Sequence, residues 1–242
     1  MVVHQLKSIM KVMTLDDIKQ IILSLCQSNN KDVKEAIIFI AGNVDVIELR
    51  TIEEQFQLMR ELFQAETKEQ LEAVKDIACS INVLVNRTSE EQCALMKMVC
   101  QSDNLLQLKA IKSIACNADV LENRTTEEQL QLMNGMFQSD DVSKLFAMSS
   151  IADDKLVLEY RSTEEQLQLM NAVIQSENDF SLKAMESLIW DWKVLRNHSI
   201  SEQLQLMKDQ VQLMMPQESE KPNVKKLEGL VSFTKRRIST KS

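Results

Sequence analysis

The chain contains very few of the residues that interrupt helices, with only 3 Gly and 2 Pro among its 242 residues. Tight turns and strand connections depend on these two residue types, whereas helix interiors exclude them. Their scarcity therefore predicts an all-α fold. Aromatic residues make up only 4% of the chain, so its core must be built mainly from aliphatic side chains and methionine.

The residue patterns on which catalysis or cofactor binding depends are also missing. The chain has 2 His, His4 and His198, and none of its 5 Cys belongs to a Cys-x-x-Cys pair, so it has no zinc motif. Three scattered Gly cannot form a phosphate-binding loop. We therefore predict a protein that is not an enzyme and that needs no metal or cofactor. A cleft in which His198 meets a Cys or a carboxylate across the fold stays open as an alternative.

A nine-residue segment recurs along the chain at a fixed spacing. Thr125–Met133 and Ser162–Met170 differ only in their first residue, and clear copies begin 37 residues apart at Thr51 and Thr88. A period in the range of roughly 20–50 residues is typical of stacked repeat arrays. The predicted array covers residues 1–215, with full repeats at 14–50, 51–87, 88–124, 125–161 and 162–198 and partial copies at 1–13 and 199–215.

Each repeat is predicted to contain two helices and a short third helical turn. Thr125 and Glu128 have the spacing of a capping box, which satisfies free backbone N–H groups at a helix start. The second helix places Leu145, Met148 and Ile151 on one apolar face. Position 23, counted from the first residue of each repeat, is always Ala, which indicates a close approach between neighbouring backbones.

Two polar residue types also recur at fixed positions. Arg at position 37 stands three and four residues before the paired Glu of the next copy, so we expect a local ion pair at the helix start. Gln at position 5 is expected to stack as amides or to cap helix ends, because a residue that reads a ligand would vary between copies. The residues concerned are Arg50, Arg87, Arg124 and Arg161, and Gln55, Gln92, Gln129, Gln166 and Gln203.

One unit of this size cannot bury its own apolar face, so consecutive copies must pack against one another. The repeat therefore predicts a right- or left-twisted α-solenoid of about five and a half 37-residue helical repeats. In unit length and helicity, residues 1 to about 215 resemble the α-solenoid superfamily of HEAT, armadillo and Pumilio-type repeats. That resemblance implies a surface along one row of helices that binds a protein or, as in Pumilio-type repeats, single-stranded nucleic acid.

The charge of the chain is distributed unevenly. Its net charge is −8, and the segment from Glu218 onwards has seven Lys or Arg and three Glu, which leaves about −12 for the rest. A body this acidic repels phosphate backbones and argues against nucleic acid as its ligand. Residues 216–242 are predicted to be a linker and a basic tail, which serves nuclear import or acidic lipid binding, folds back on the acidic body, or is simply solvated. The basic residues of the tail are Lys225, Lys226, Lys235, Arg236 and Arg237.

Hydropathy and cysteine placement bear on the compartment. No run of 18 or more apolar residues occurs, so no membrane span is predicted. Cys26, Cys93 and Cys100 occupy positions where other copies carry large hydrophobic residues, which predicts core thiols in a reducing environment. We predict an intracellular, cytoplasmic protein, with nuclear localisation through the basic tail left open.

The positions that vary between copies are the candidates for function. Positions 22 and 25 lie on the second helix, outside its apolar face, and several aromatic residues stand late in the array. These residues predict a non-enzymatic scaffold that binds a protein partner along the second helices, with self-association through the array ends also expected. The alternatives are a modular RNA- or DNA-binding protein and, for the two Trp, a role in closing the core. The candidates are Glu72, Lys75, Lys109, Lys112, Phe146, Ser149, Lys183, Glu186, Trp190 and Trp192.

Overall fold

The computed structural model describes residues 28–176 and 191–214, together with isolated residues within 14–23 and 182–189. Every regular element in these ranges is a helix, which confirms the all-α prediction. The helices are α1 (Lys31–Ala41), α2 (Val44–Leu49), α3 (Ile52–Glu61), α4 (Lys68–Cys79), α5 (Ile81–Asn86), α6 (Ser89–Val99), α7 (Leu105–Cys116), α8 (Ala118–Asn123), α9 (Thr126–Gly135), α10 (Val142–Asp153), α11 (Lys155–Tyr160), α12 (Thr163–Ile174), α13 (Trp192–Asn197) and α14 (Ile200–Met214).

Three kinds of helix alternate along the chain, and we name them by their order within a repeat. The first helices are α3, α6, α9, α12 and α14, and short 3-10 turns at Leu62–Gln64 and Met136–Gln138 continue two of them. The second helices are α1, α4, α7 and α10. The third helices are α2, α5, α8, α11 and α13, and each is six residues long where a short turn was predicted.

The first helices begin at the predicted capping boxes. At α9 the Thr125 hydroxyl accepts a hydrogen bond from the backbone N–H of Glu128 at 3.3 Å, and the Glu128 carboxylate accepts one from the Thr125 N–H at 2.9 Å. The same reciprocal pair occurs at Thr51, Thr88 and Ser162. These hydrogen bonds, the backbone one first, lower the pKa of Glu128. Each box therefore uses an ionised carboxylate to satisfy a helix start.

Side-chain oxygens also cap the first turns of the second helices. Asn30, Thr67, Asn104 and Asp141 each accept a hydrogen bond from a backbone N–H in the first turn of the helix that follows. Most third helices are capped in the same way, by an Asn or an Asp. Because a side-chain cap stands at most breaks in the apolar pattern, the sequence sets these helix boundaries locally.

Helices of the same kind contact one another in chain order. The second helices meet as α1 with α4, α4 with α7 and α7 with α10, and the third helices continue in this way from α2 to α13. The first helices make the same series from α3 to α14. The side chains between them are fully buried, as at Leu58, Ile77, Met96, Ile111 and Met133. The apolar face of one copy is thus covered by the next copy.

The core prediction for cysteine holds at one described position and only in part at another. Cys93 is buried, whereas Cys100, at position 13 of its repeat, is half-buried. Phe63 at the same position in the preceding repeat is 41% exposed and lies in the 3-10 turn after α3. Burial raises the pKa of Cys93 and of Cys100 to about 11. Cys26 lies outside the described residues.

None of the helices in the described ranges is both long and apolar enough to cross a membrane.

Candidate binding surface

The recurring Arg and Gln residues form a buried series of hydrogen bonds, which we call the Arg–Gln ladder. Arg50 donates from Nε to Oε1 of Gln92 at 3.2 Å and from its two Nη atoms to the carbonyls of Leu84 at 3.0 Å and Arg87 at 2.6 Å. Gln92 in turn donates from Nε2 to two carbonyls near the end of α4, both at 3.0 Å. One Arg–Gln pair therefore joins the ends of a second and a third helix to the start of a first helix.

The same pairing recurs in the following copies. Arg87 binds Gln129 at 3.3 Å, Arg124 binds Gln166 at 3.0 Å and Arg161 binds Gln203 at 3.0 Å, always from Nε to Oε1. The four Gln of the ladder pairs, Gln92, Gln129, Gln166 and Gln203, are fully buried. The prediction that the Gln cap helix ends is confirmed.

The predicted local ion pair of each Arg with the following Glu is wrong. No salt bridge in the described part of the chain joins these residues. The guanidinium instead turns inward, where unpaired carbonyl groups at helix ends would otherwise be left without donors. Burial lowers the pKa of Arg50, Arg87 and Arg161, and the nearby Glu partly opposes that shift.

Among the described residues, the ladder lacks one partner at its start. Gln55 is 4% exposed, and its Oε1 atom has no hydrogen-bond partner in this part of the chain. Its Nε2 atom donates to the carbonyl of Arg50 at 3.0 Å. In the other pairs the Arg stands 42 residues before its Gln, and for Gln55 that position is Met13, which has no donor. Within the described residues, the Gln55 side chain therefore uses its Nε2 donor but not its Oε1 acceptor.

Three open grooves lie between successive second helices. Their volumes are about 280 Å³ between α1 and α4, about 270 Å³ between α4 and α7, and about 240 Å³ between α7 and α10. Ala36, Ala73 and Ala110, at position 23 of their repeats, lie one in each groove. The Ala that was predicted to permit close backbone approach thus also leaves the space that forms a groove.

The predicted surface residues of the described second helices all line these grooves. Glu72 and Lys75 line the first groove, and Glu72 also reaches the second. The second groove is further lined by Lys109 and Lys112, and the third by Lys109 with Phe146 and Ser149. Equivalent positions of each repeat therefore line equivalent grooves, but their side chains differ in charge and polarity from one groove to the next.

Several charges around the grooves are paired within the protein. Lys75 forms an ion pair with Glu72, and its Nζ lies 5.3 Å from the centre of the Phe39 ring. Lys112 binds Asp76 at 2.9 Å. Lys109, by contrast, is exposed and makes no ion pair with any described residue.

Exposed apolar side chains line the second groove, at Leu105, and the third groove, at Val142 and Phe146. Phe146 is 66% exposed, Val142 is 61% exposed and Leu105 is 49% exposed. Sequence reasoning identified Phe146 but missed Val142 and Leu105. They could have been found at position 18, where Lys31 and Lys68 of the earlier copies give way to these two apolar residues.

The remaining candidates fall at or beyond the edges of the described chain. Lys183 is exposed, and Trp192 is the first residue of α13. Glu186, Trp190 and the basic tail of Lys225, Lys226, Lys235, Arg236 and Arg237 lie outside the described residues, as does the side chain of Trp192. The proposed place of the two Trp in the core or on the surface thus stays a prediction.

Within the described residues, no three His, Cys, Asp or Glu side chains come together in a way that could hold a metal ion. Burial raises the pKa of Cys79 to about 12 and the pKa of Cys93 and of Cys100 to about 11. A thiol with such a pKa is almost entirely protonated at neutral pH and is a poor nucleophile. No protein-family model, curated protein or solved structure matches the chain.

Proposed function

We propose that the chain is an α-solenoid of 37-residue repeats that acts as a non-enzymatic scaffold and binds a protein partner along the grooves of its second helices. Contacts between equivalent helices in chain order support the solenoid. So do the hydrogen bonds of the Arg–Gln ladder, each of which joins residues 42 positions apart.

One contrast carries the functional proposal. The core and the Arg–Gln ladder use the same residue types in each copy, whereas the groove positions change from copy to copy. Position 22, for example, runs from Glu35 and Glu72 to Lys109 and Phe146. A position needed only for stacking has no reason to change in this way, since every copy stacks alike. Variable chemistry on a regular frame is typical of a surface that recognises one extended ligand.

The hydrogen bonds at the helix ends also favour binding, because they hold the groove surface in a fixed conformation. Helix starts are satisfied by capping boxes, and the helix ends are bound by buried Gln and Arg side chains, as at Gln129 and Arg87. A surface held in this way loses little conformational entropy when a ligand binds. The large exposed side chain of Phe146 then adds apolar contact area, since aromatic residues are enriched among residues that dominate binding energy.

The competing nucleic-acid hypothesis gains less support. Two of the lysines that line the grooves, Lys75 and Lys112, are neutralised by Glu72 and Asp76. Phosphate binding depends on uncompensated cations, and these two are not available for it. Exposed apolar side chains on the same face favour a protein ligand instead.

Affinity purification with two matched double variants tests the proposal. In the first, Val142→Ser and Phe146→Ser remove apolar side chains that are 61% and 66% exposed beside the third groove. In the control, Val44→Ser and Val85→Ser remove side chains that are 59% and 65% exposed on the third helices α2 and α5. Both variants expose similar surface chemistry to the lysate, and both leave the buried core intact.

We expect the first variant to lose the proteins captured by the wild-type chain and the control to retain them. Circular dichroism must show the same helical content in all three proteins. If the control loses the captured proteins while the groove variant retains them, the binding surface lies on the third helices and the proposed surface is wrong. Equal retention by both variants also contradicts it.

A further inference from the structure

We infer that the ligand of this surface is a peptide segment that places a carboxylate beside a large aliphatic or aromatic side chain. The segment would bind at Leu105, Lys109, Val142 and Phe146, which we call the Lys109 patch. The inference rests on the proposed function, because it specifies the chemistry of the partner at the same grooves.

The first argument is the unbalanced charge of Lys109. Among residues at position 22, Glu35 pairs with Lys31 at 3.4 Å and Glu72 pairs with Lys75. Lys109 has no ion-pair partner among the described residues, although the chain has a net charge of −8 and carboxylates are abundant. An anion supplied by a ligand would therefore meet a cation that the described part of the protein leaves unpaired.

The second argument is what surrounds that cation. Lys68, another groove lysine without a described ion pair, faces the two charged grooves beside Glu69 and Glu72. Lys109 instead lies between the second groove and the third, whose lining is mostly apolar and includes Phe146. A ligand that covers these apolar side chains also removes water from Lys109. An ion pair in such a place is stronger than one in open solvent.

The third argument concerns the shape of the third groove. Its floor is formed by Ala110 and Leu145, which are buried, and Val142 and Phe146 stand on one side. The groove holds about 240 Å³ and is open to solvent, so a side chain can enter it from outside. Apolar burial in the groove supplies affinity, while the charge on Lys109 selects for an acidic neighbour.

Charge also argues against the chain's own C-terminal segment as the ligand of the Lys109 patch. The segment from Glu218 to Ser242 has seven Lys or Arg and three Glu. Glu228 is the carboxylate of this segment that stands beside large apolar residues, and Lys225 and Lys226, which precede it closely, are repelled by Lys109. An acidic segment of another protein therefore fits the patch better than the chain's own tail.

A random peptide library displayed on phage, selected on the full-length protein, tests this inference. We expect enriched peptides to carry Asp or Glu within four residues of Leu, Ile, Phe or Trp. Lys109→Glu should weaken their binding at least tenfold by fluorescence polarisation, and replacing the peptide carboxylate with Lys should restore binding to that variant. The control Lys155→Glu reverses a lysine on α11, outside the grooves, and should leave affinity within twofold.

Each other outcome has a distinct meaning. Enriched peptides that lack acidic residues but lose binding with Val142→Ser and Phe146→Ser would overturn the inference and leave the proposed function standing. If binding is indifferent to all substitutions in the Lys109 patch, or no peptide is enriched, both proposals are wrong. Binding of single-stranded polyuridine that Lys109→Glu abolishes would show that the ligand class is wrong. A dimer that dissociates on Lys109→Glu, seen by sedimentation, would show that a second copy occupies the patch.

Discussion

Replacing Gln129 with Leu should destabilise the protein far more than the same change at Gln55. Gln129 donates to the carbonyls of Ile114 at 2.9 Å and Ala115 at 3.2 Å, and accepts from Arg87 at 3.3 Å. Leucine has a similar volume but no polar atoms, so it leaves these buried groups without partners. At about 1 kcal/mol for each neutral hydrogen bond and about 1.5–3 kcal/mol for the one from a charged group, the expected loss is roughly 3–5 kcal/mol.

Gln55→Leu is the matched control because the same side chain has a different hydrogen-bond state. It loses one hydrogen bond, to the Arg50 carbonyl at 3.0 Å, which costs about 1 kcal/mol. It also removes the buried Oε1 atom, which has no partner among the described residues, and this relieves a cost of similar size. We therefore expect the free energy of unfolding to change by less than about 1 kcal/mol.

Urea denaturation followed by circular dichroism at the helix signal measures both changes. The midpoint urea concentration should fall clearly for Gln129→Leu and hardly for Gln55→Leu, with the slope m unchanged. Gln166→Leu, whose pairing matches that of Gln129, serves as a second copy of the test. Equal losses at Gln55 and Gln129, or a loss below about 1 kcal/mol at Gln129, would refute the energetic role assigned to the ladder.

Three further predictions concern caps, pH and thiols. Thr125→Ala should lower the free energy of unfolding by about 1 kcal/mol because it removes a capping hydroxyl, whereas Thr125→Ser should lower it by less, as urea denaturation would show. Hydrogen bonds lower the pKa of Glu91 and Glu128 in the folded state, so their stabilisation is present above the ordinary Glu pKa of about 4.3 and is lost as the pH falls through the lowered values. The melting temperature should accordingly drop between about pH 5 and pH 3, and a constant value over that range would contradict the cap assignment. Cys93, with its pKa raised to about 11 by burial, should react slowly with a thiol reagent at pH 8 and quickly after unfolding, and a fast native reaction would contradict its burial.

The sequence allowed the local parts of this structure to be predicted well. Capping boxes such as Thr125 with Glu128 depend on residues three apart, so their spacing can be read directly. The apolar face of α10, with Leu145, Met148 and Ile151, follows from helical periodicity and is buried as expected. Both features depend only on residues within or next to one helix. The packing of the rest of the chain therefore does not alter them.

Sequence reasoning failed where a residue's partner belongs to another copy. The Arg residues were assigned to the nearest Glu, but each instead binds a Gln 42 positions away, as Arg50 does with Gln92. A local ion pair seemed a sufficient explanation for the recurring Arg because it does not require burial of the guanidinium. The recurrence of a strong donor and an amide acceptor at constant positions was the available signal, since a surface ion pair stabilises too little to require such constancy.

The candidate site was predicted in part. Phe146 and Lys109 were chosen because they differ from their equivalents, and both line grooves. Val142 and Leu105 were missed because an apolar residue at the start of a helix is easily taken for core. Only the packed neighbours show that these two side chains stay exposed.

The Ala at position 23 lies at the boundary between the exposed groove residues and the buried core. Ala36, Ala73 and Ala110 form part of the groove floors, whereas the exposed side chains above them, such as Lys109 and Phe146, belong neither to the core nor to the Arg–Gln pairs. We therefore expect that such exposed side chains can be replaced one copy at a time without loss of folding. The chain offers a template on which new specificities could be assembled, repeat by repeat, from an unchanged interior.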